Sequence, residues 1–230
     1  MIIGASQPTF LPYPGYFGLI DFVDKFIFMD NVQFNKRSWQ QRNYINFNEV
    51  DHLLTVPVLK KNKRDQLIID VEIDDSSNYV NKHLKTIERA YKKKKYFDSY
   101  FPIISKVYNK KFKFLLDLNL NLVEVFLEIL GINKNIIFLS SLKIEKFKNA
   151  ELIYQICESQ KCKTYVSTMG SKDYLSNYNQ IFEKYNVKFF IYNNATELEF
   201  DNNHQYSIID LIFKYGPESL KIIRSNFKII

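Results

Sequence analysis

Ile2-Ile3-Gly4-Ala5-Ser6-Gln7-Pro8-Thr9-Phe10-Leu11-Pro12-Tyr13-Pro14-Gly15-Tyr16-Phe17 begins as a short apolar strand and runs straight into a turn built on prolines and a glycine. An amphipathic run over residues 16–26 follows at once. The turn therefore lies between the carboxyl end of a strand and the amino end of a helix. In α/β proteins that junction binds small anionic or polar ligands, because unpaired helix N–H groups point there. Proline fixes φ and glycine admits a tight turn, so Ser6, Gln7, Thr9, Tyr13 and Tyr16 are held rather than loose. A stiff connection without a ligand is the plain alternative.

Outward from this segment, a second apolar strand over residues 26–29 ends in Asp30-Asn31. Residues 34–45 alternate aromatic or apolar with polar types, which suits exposed strands or an ordered loop. Residues 53–58 read as a third strand, placed near an edge or strand end by Pro57, and residues 67–73 alternate as a fourth. The middle is helical: Val80, Leu84, Ile87 and Tyr91 recur at helical spacing, as do Tyr100, Ile104, Val107 and Tyr108. Residues 114–130 are apolar nearly all round and stop at Gly131, as at a C-cap glycine.

Beyond it, a strand over residues 136–139 ends in Ser140-Ser141, and a helix passes through Ile153, Ile156 and Cys157. Residues 164–168 form a strand ending at Met169-Gly170-Ser171, followed by a helix over 173–185 and a strand over 187–192. Ser207, with Asp210 three residues on, caps a helix over 208–214, and Gly216-Pro217 ends it and opens the last one. Strands alternating with helices at both ends of the chain predict an α/β fold with a mostly parallel sheet and flanking helices. Residues 78–131 are expected to form an inserted helical subdomain or cover within one domain spanning 1–230.

At 230 residues and 46% hydrophobic, the chain is long enough for one large core. No stretch approaches the roughly 18 apolar residues that cross a bilayer. No basic-apolar-small leader opens the sequence, so a soluble cytoplasmic protein is expected. Cys157 and Cys162 lack a second metal-ligand pair and read as ordinary thiols of a reducing compartment. The formal charge of +7 invites a nucleic-acid reading. However, Lys, Asn, Ile, Phe and Tyr are abundant and Gly, Ala and Pro scarce, the composition of an AT-rich genome. The lysine runs at 60–64 and 92–95 also lack interleaved stacking aromatics. No specific nucleic-acid partner is expected.

Several predicted strands end in hydrogen-bonding residues: Ser6-Gln7, Asp30-Asn31, Ser140-Ser141, and Ser167-Thr168 with Gly170. Parallel strands bring such ends to one edge, where an open α/β sheet keeps its ligand crevice. For the serines, capping of the following helices is an equal alternative. Asp30, among Phe28, Met29 and Phe34, is the leading proton acceptor or ligand-binding candidate, against an Asp-led turn. Lys36, Arg37 and Arg42 lie close by in sequence, and a guanidinium can fork onto a carboxylate or diphosphate. His52 and His83 read as structural or exposed, whereas His204 sits in a polar loop and is the functional candidate among the histidines. No HExxH, Walker loop, GxGxxG or GxSxG occurs, so neither a metal nor a dinucleotide reading has support.

The blocks at residues 7–17 and 30–43, with Leu54-Thr55-Val56-Pro57-Val58, Ser140-Ser141, Tyr165-Val166-Ser167, Gly170, Ser207-Ile208-Ile209-Asp210-Leu211 and Gly216, resemble the WbqC-like protein family. The resemblance runs in order along essentially the whole chain. Two departures stand out: Ser6 replaces the histidine usual before Gln-Pro, and Asn31 stands where a second Asp is common. That family is associated with bacterial surface-polysaccharide (O-antigen) gene clusters. The resemblance implies transfer of an acyl or aminoacyl group onto the amine of a nucleotide-linked deoxyamino sugar. It thus implies a nucleotide-linked amino sugar as partner and an activated acyl or aminoacyl donor.

In that scheme Lys36, Arg37 or Arg42 takes the diphosphate, Asp30 or His204 the proton, and Gln7 or backbone N–H groups the oxyanion. Tyr13, Tyr16 and Trp39 stack on base or sugar, and Ser6, Asn31, Asn43, Ser140, Ser167 and Gly170 complete the expected substrate-binding set. A looser likeness to α/β enzymes that activate carboxylates with ATP makes ATP a candidate cofactor. The histidine pair of those enzymes is missing, with Tyr13 and Tyr16 near the comparable places. A non-catalytic nucleotide-sugar binding protein is the main competing expectation.

Overall fold

The computed structural model describes residues 1–59, 65–144, 148–193 and 206–230. In chain order its elements are β1 (Ile2–Ser6), α1 (Pro14–Phe22), β2 (Lys25–Phe28), β3 (Arg42–Phe47) and β4 (Val50–Thr55). Then come the helices α2 (Tyr79–Tyr91), α3 (Phe97–Tyr108) and α4 (Leu115–Leu130). The remainder is β5 (Asn135–Phe138), α5 (Asn149–Ser159), β6 (Thr164–Thr168), α6 (Lys172–Ser176), α7 (Asn179–Lys184), β7 (Asn186–Tyr192), α8 (Ile208–Tyr215), α9 (Ser219–Ser225) and β8 (Phe227–Ile229).

A six-stranded sheet has the order β5-β2-β1-β6-β7-β8. All neighbours pair parallel except β7 and β8. Numbered by appearance within the sheet, the strands run 3-2-1-4-5-6, the doubly wound order in which the chain starts at the middle and builds outward in both directions.

Strand periodicity divides the core between two faces. Phe26, Phe28, Val166 and Phe190 join α1, α4 and α8 on one face. Ile3, Ala5, Ile27, Tyr165 and Phe189 join α5, α6 and α7 on the other. Both faces are covered, which is why these strands are apolar throughout rather than alternating with polar residues. Helices α2–α4 lie within the first of these cores: Phe17 meets Phe126 at 5.9 Å, and Tyr91 and Phe97 both meet Phe213 of α8, at 5.2 and 5.3 Å. Gly131 ends α4 at φ 68°, a left-handed conformation that costs glycine nothing.

Three local expectations are corrected. Residues 67–73 are not a strand; Ile68–Asp70 makes a single 3₁₀ turn, because Ile68 and Ile69 N–H donate to the carbonyls of Val32 and Asp30. The strand expected over 53–58 is β4, which pairs with β3 in a separate antiparallel hairpin and leaves Pro57 outside. Asn48 and Glu49, both at positive φ (53° and 65°), form its two-residue turn, and Asn46 Oδ1 accepts from Glu49 N–H at 2.9 Å. The helix expected over 173–185 breaks into α6 and α7 around Asn177 and Tyr178.

Ser207 caps α8, its hydroxyl accepting from Ile209 N–H at 3.4 Å. The Asp210 carboxylate meets Tyr91 instead of completing a capping box, and the Ser207 N–H donates to the Tyr44 carbonyl. Cys157 and Cys162 are buried free thiols. Among the described residues no helix is long and apolar enough to cross a membrane.

Candidate functional site

Because β5, β2, β1 and β6 are parallel neighbours, their carboxyl ends share one edge of the sheet. Ser140, Asp30 and Gln7 lie within two residues of the ends of β5, β2 and β1, and the 167–170 segment runs off the end of β6. At about 4.8 Å between neighbours, the row spans roughly 15 Å. Strand order reverses between β1 and β6, where the first crossover leaves to one side and the later one to the other, and an open α/β sheet has its crevice there. Ser6 and Gln7 stand on one lip of that point, and Thr168 to Gly170 on the other.

The proline-rich turn is pinned from three sides. Phe10 N–H donates to the Trp39 carbonyl at 2.9 Å, and Asn43 Nδ2 donates to the Leu11 carbonyl at 2.6 Å. Ile208 N–H, at the start of α8, donates to the Pro12 carbonyl at 2.8 Å. Leu11 is fully buried at φ 43°, a conformation leucine holds only where its surroundings impose it. Asn43, expected to bind substrate, is thus a buried clamp on this turn.

Tyr16 is a core residue whose hydroxyl donates to the Gln7 carbonyl at 3.0 Å, while its ring packs on Phe17 and Phe26. Tyr13 packs edge-on against Tyr192 at the end of β7, 6.2 Å between centroids. Burial pushes the Tyr13 hydroxyl up to about 12 and the Tyr16 hydroxyl well above its usual value, so both are neutral donors near pH 7.

Asp30 is 2% exposed. Its Oδ1 accepts from Ser140 N–H at 2.9 Å and its Oδ2 from the Ser140 hydroxyl at 2.5 Å. The two expected site residues therefore meet, each at the end of a neighbouring strand. Ser167 is buried and lies 2.6 Å from the hydroxyl of Ser171, which also reaches the Thr168 carbonyl at 2.7 Å. Gly170 is exposed, and a Cβ there would meet nothing within 4 Å, so the fold places no demand for glycine at that position. Ser6 and Asn31 are half-buried.

Lys36 and Arg37 are exposed on the loop before β3, Arg42 is half-buried at the start of that strand, and Trp39 is 51% exposed beside Tyr44. Arg37 sits at φ 59°, its N–H held by Gln41 Oε1 at 3.2 Å. Two buried glutamines thus shape the loop from inside: Gln41 at Arg37, and Gln40, whose Oε1 accepts from Asn35 N–H at 2.9 Å. Gln40 Nε2 in turn donates to Gln7 Oε1 at 2.6 Å, tying the basic loop to the end of β1.

His83 is buried against Phe10, Tyr79 and Tyr108, and burial carries its pKa down to about 4, consistent with a structural histidine. His204 lies outside the described residues, as does the lysine run at 60–64. Sequence reasoning missed Gln40 and Asn119. Asn119, fully buried on α4, donates through Nδ2 to the Gln40 carbonyl at 2.8 Å. Its signal was present: a polar residue in a helix apolar nearly all round requires a buried partner.

A family model described as the WbqC-like protein family matches residues 7–222. Among curated proteins, Uncharacterized protein Rv1507c of Mycobacterium tuberculosis is 26% identical over 234 residues, covering 96% of this chain and 97% of that protein. No solved structure matches the chain significantly.

Proposed function

The chain belongs to the WbqC-like protein family, and from that premise we propose that it is a transferase of surface-polysaccharide sugar biosynthesis, attaching an acyl or aminoacyl group to the amine of a nucleotide-linked deoxyamino sugar. One observation carries the reading: Gln40 joins the loop bearing Lys36, Arg37 and Trp39 to Gln7 at the sheet's reversal point. Cationic side chains and an exposed indole suit a nucleoside diphosphate, and polar strand ends suit the reacting groups.

In the reaction the neutral amine attacks an activated acyl carbon. An N–C bond forms, the bond to the leaving group breaks, and the amine proton passes to a base. Lys36, Arg37 and Arg42 take the diphosphate. Gln7 donates to the carbonyl oxygen as it becomes an oxyanion, and Asp30 or His204 takes the proton. The acyl group arrives activated, with ATP-dependent activation of a carboxylate as one route. Nucleotide-linked sugars are made in the cytoplasm, and the reading assigns the protein there.

A second reading, a non-catalytic nucleotide-sugar binding protein, draws on Asp30. Both of its oxygens are engaged by Ser140, and Ser6 stands where the family commonly carries histidine. Incubation with nucleotide-linked amino sugars plus either acyl-coenzyme A or amino acid and ATP, read by product mass, decides between them. A sugar heavier by the acyl group supports the transferase. Saturable binding with unchanged masses supports the binder, and neither binding nor product overturns both.

A further inference from the structure

Gln7 and Gln40 meet through their side-chain amides, a contact either glutamine can make as donor or as acceptor. The surrounding backbone removes the ambiguity. Asn35 N–H can only donate, so the Gln40 atom 2.9 Å away is its oxygen. The other end of the Gln40 amide is then the NH₂ group, and it is this group that lies 2.6 Å from Gln7. Gln7 must meet it with its oxygen, which turns Gln7 Nε2 away from Gln40. Gln40 cannot rotate to reverse this. It is 1% exposed, and a reversed amide would set its NH₂ against the Asn35 N–H and lose that bond, while its backbone N–H and carbonyl are fixed by the Ser38 hydroxyl at 3.3 Å and by Asn119 Nδ2 at 2.8 Å. Gln7 Nε2 has no acceptor among the described residues and belongs to a half-buried side chain at the reversal of strand order.

We infer that Gln40 is a positioning residue that locks the Gln7 amide with its NH₂ group presented as a fixed donor to an acceptor oxygen of the ligand. Resting on the transferase reading, that oxygen is the acyl carbonyl. A donor whose orientation is set before the ligand arrives costs no reorganisation when charge develops on the carbonyl. A freely rotating glutamine would present oxygen or nitrogen indifferently, so the relay from Asn35 through Gln40 also excludes ligands offering a donor at this point.

The test separates this inference from the functional reading. Gln7→Glu identifies the Gln7 side-chain NH₂ signals in the ¹⁵N NMR spectrum by their disappearance. In the wild type those protons exchange freely with solvent while one Gln40 proton is protected. In Gln40→Glu the polarity reverses, and the Gln7 NH₂ becomes the protected group. Protection of Gln7 in the wild type, or no change in Gln40→Glu, overturns the inference.

Thermal melting gives a second readout should Gln40→Glu fail to fold. Gln7→Glu keeps an acceptor opposite Gln40 Nε2, so its Tm stays within about 2 °C of wild type, and a loss beyond about 4 °C overturns the assigned polarity. UDP-N-acetylglucosamine then probes the ligand side. It shifts the Gln7 NH₂ signals in the wild type, and its Kd rises about tenfold in Gln7→Glu, as for loss of one hydrogen bond. Established polarity with no response to this compound counts against the carbonyl as the ligand group, and the product-mass experiment tests the transferase reading by itself.

Discussion

Asp30 and Ser140 are 110 residues apart in sequence, and both oxygens of one are held by the backbone and hydroxyl of the other. The contact fastens the ends of β2 and β5 and separates two roles for the carboxylate. Asparagine at position 30 can still accept from Ser140 N–H while its NH₂ donates to the rotatable hydroxyl. Asp30→Asn is therefore expected to cost only about 1 kcal/mol in urea unfolding, whereas Asp30→Ala, which removes both acceptors of Ser140 and leaves a gap where a buried side chain stood, costs about 1–3 kcal/mol. If Asp30 takes the amine proton, Asp30→Asn still slows turnover by about 10²-fold or more in a folded protein. Unchanged turnover would assign the residue to the fold alone.

His83 gives the protein an acid sensitivity. Its pKa falls from the usual 6.5 to about 4 because burial disfavours the charged ring. The unfolded chain then binds the proton more tightly than the folded one. The contribution is complete above pH 6.5 and is lost as pH falls toward 4, reaching about 3 kcal/mol. The ring also bonds the Thr55 carbonyl and lies 3.5 Å from the Tyr108 hydroxyl, so His83→Phe lowers stability at pH 7. Its stability should nonetheless depend less on pH between 4 and 6.5 than the wild type's. Parallel slopes in urea melts across that window would refute this.

Gly15, in the first turn of α1, and Gly170, just after β6, differ in what they demand. A Cβ on Gly15 would lie 2.3 Å from the Tyr13 ring and 2.6 Å from Tyr192 Cβ, whereas one on Gly170 would meet nothing. Gly15→Ala is expected to lose about 1–3 kcal/mol in thermal or urea unfolding. Gly170→Ala leaves stability within about 0.5 kcal/mol. A fall in nucleotide-sugar affinity for Gly170→Ala would mark its backbone as a ligand contact, the one remaining reason for glycine there.

Much of this architecture was legible because local and global signals agree. The strand over 164–168 coincides with β6, Gly131 and Ser207 terminate α4 and α8 as their types dictate, and the strand–helix alternation gave a parallel sheet. The departures are tertiary. Leu67, Ile69, Val71 and Ile73 alternate as in a strand, yet the buried residues are Ile68, Val71 and Ile73, because the segment wraps between the 30–32 segment and the start of α4, with Leu115 N–H on the Val71 carbonyl. Phe227–Ile229 was not foreseen as a strand, since three residues carry no period and acquire one only by pairing with β7. At the site, the polar strand ends could be read from residue type. The pairing of Asp30 with Ser140 could not, nor could Gln40, because which polar residues face inward depends on a loop whose path is fixed by its own buried amides.

That loop supports the last prediction. Trp39 is the single tryptophan of the chain, and it stands 51% exposed with its ring 6.0 Å from Tyr44. Water on an indole is unfavourable, and the ring lacks the enclosing contacts that would make it part of the core. Its backbone holds the turn through Phe10, a bond that replacement of the side chain leaves in place. Trp39→Ala is therefore expected to change stability by less than about 1 kcal/mol. Loss of a stacked base costs about 1–3 kcal/mol, or roughly 5- to 150-fold in Kd. On the proposed transferase reading, Lys36→Ala combined with Arg37→Ala should weaken binding of a nucleotide-linked sugar in a salt-dependent way, because exposed cations attract a diphosphate through screened charge. Calorimetric titration of UDP-N-acetylglucosamine at 50 and 300 mM salt distinguishes the contributions: the Trp39 loss persists at both, and the Lys36/Arg37 loss shrinks at the higher. Equal affinity in wild type and Trp39→Ala would remove the indole from the site.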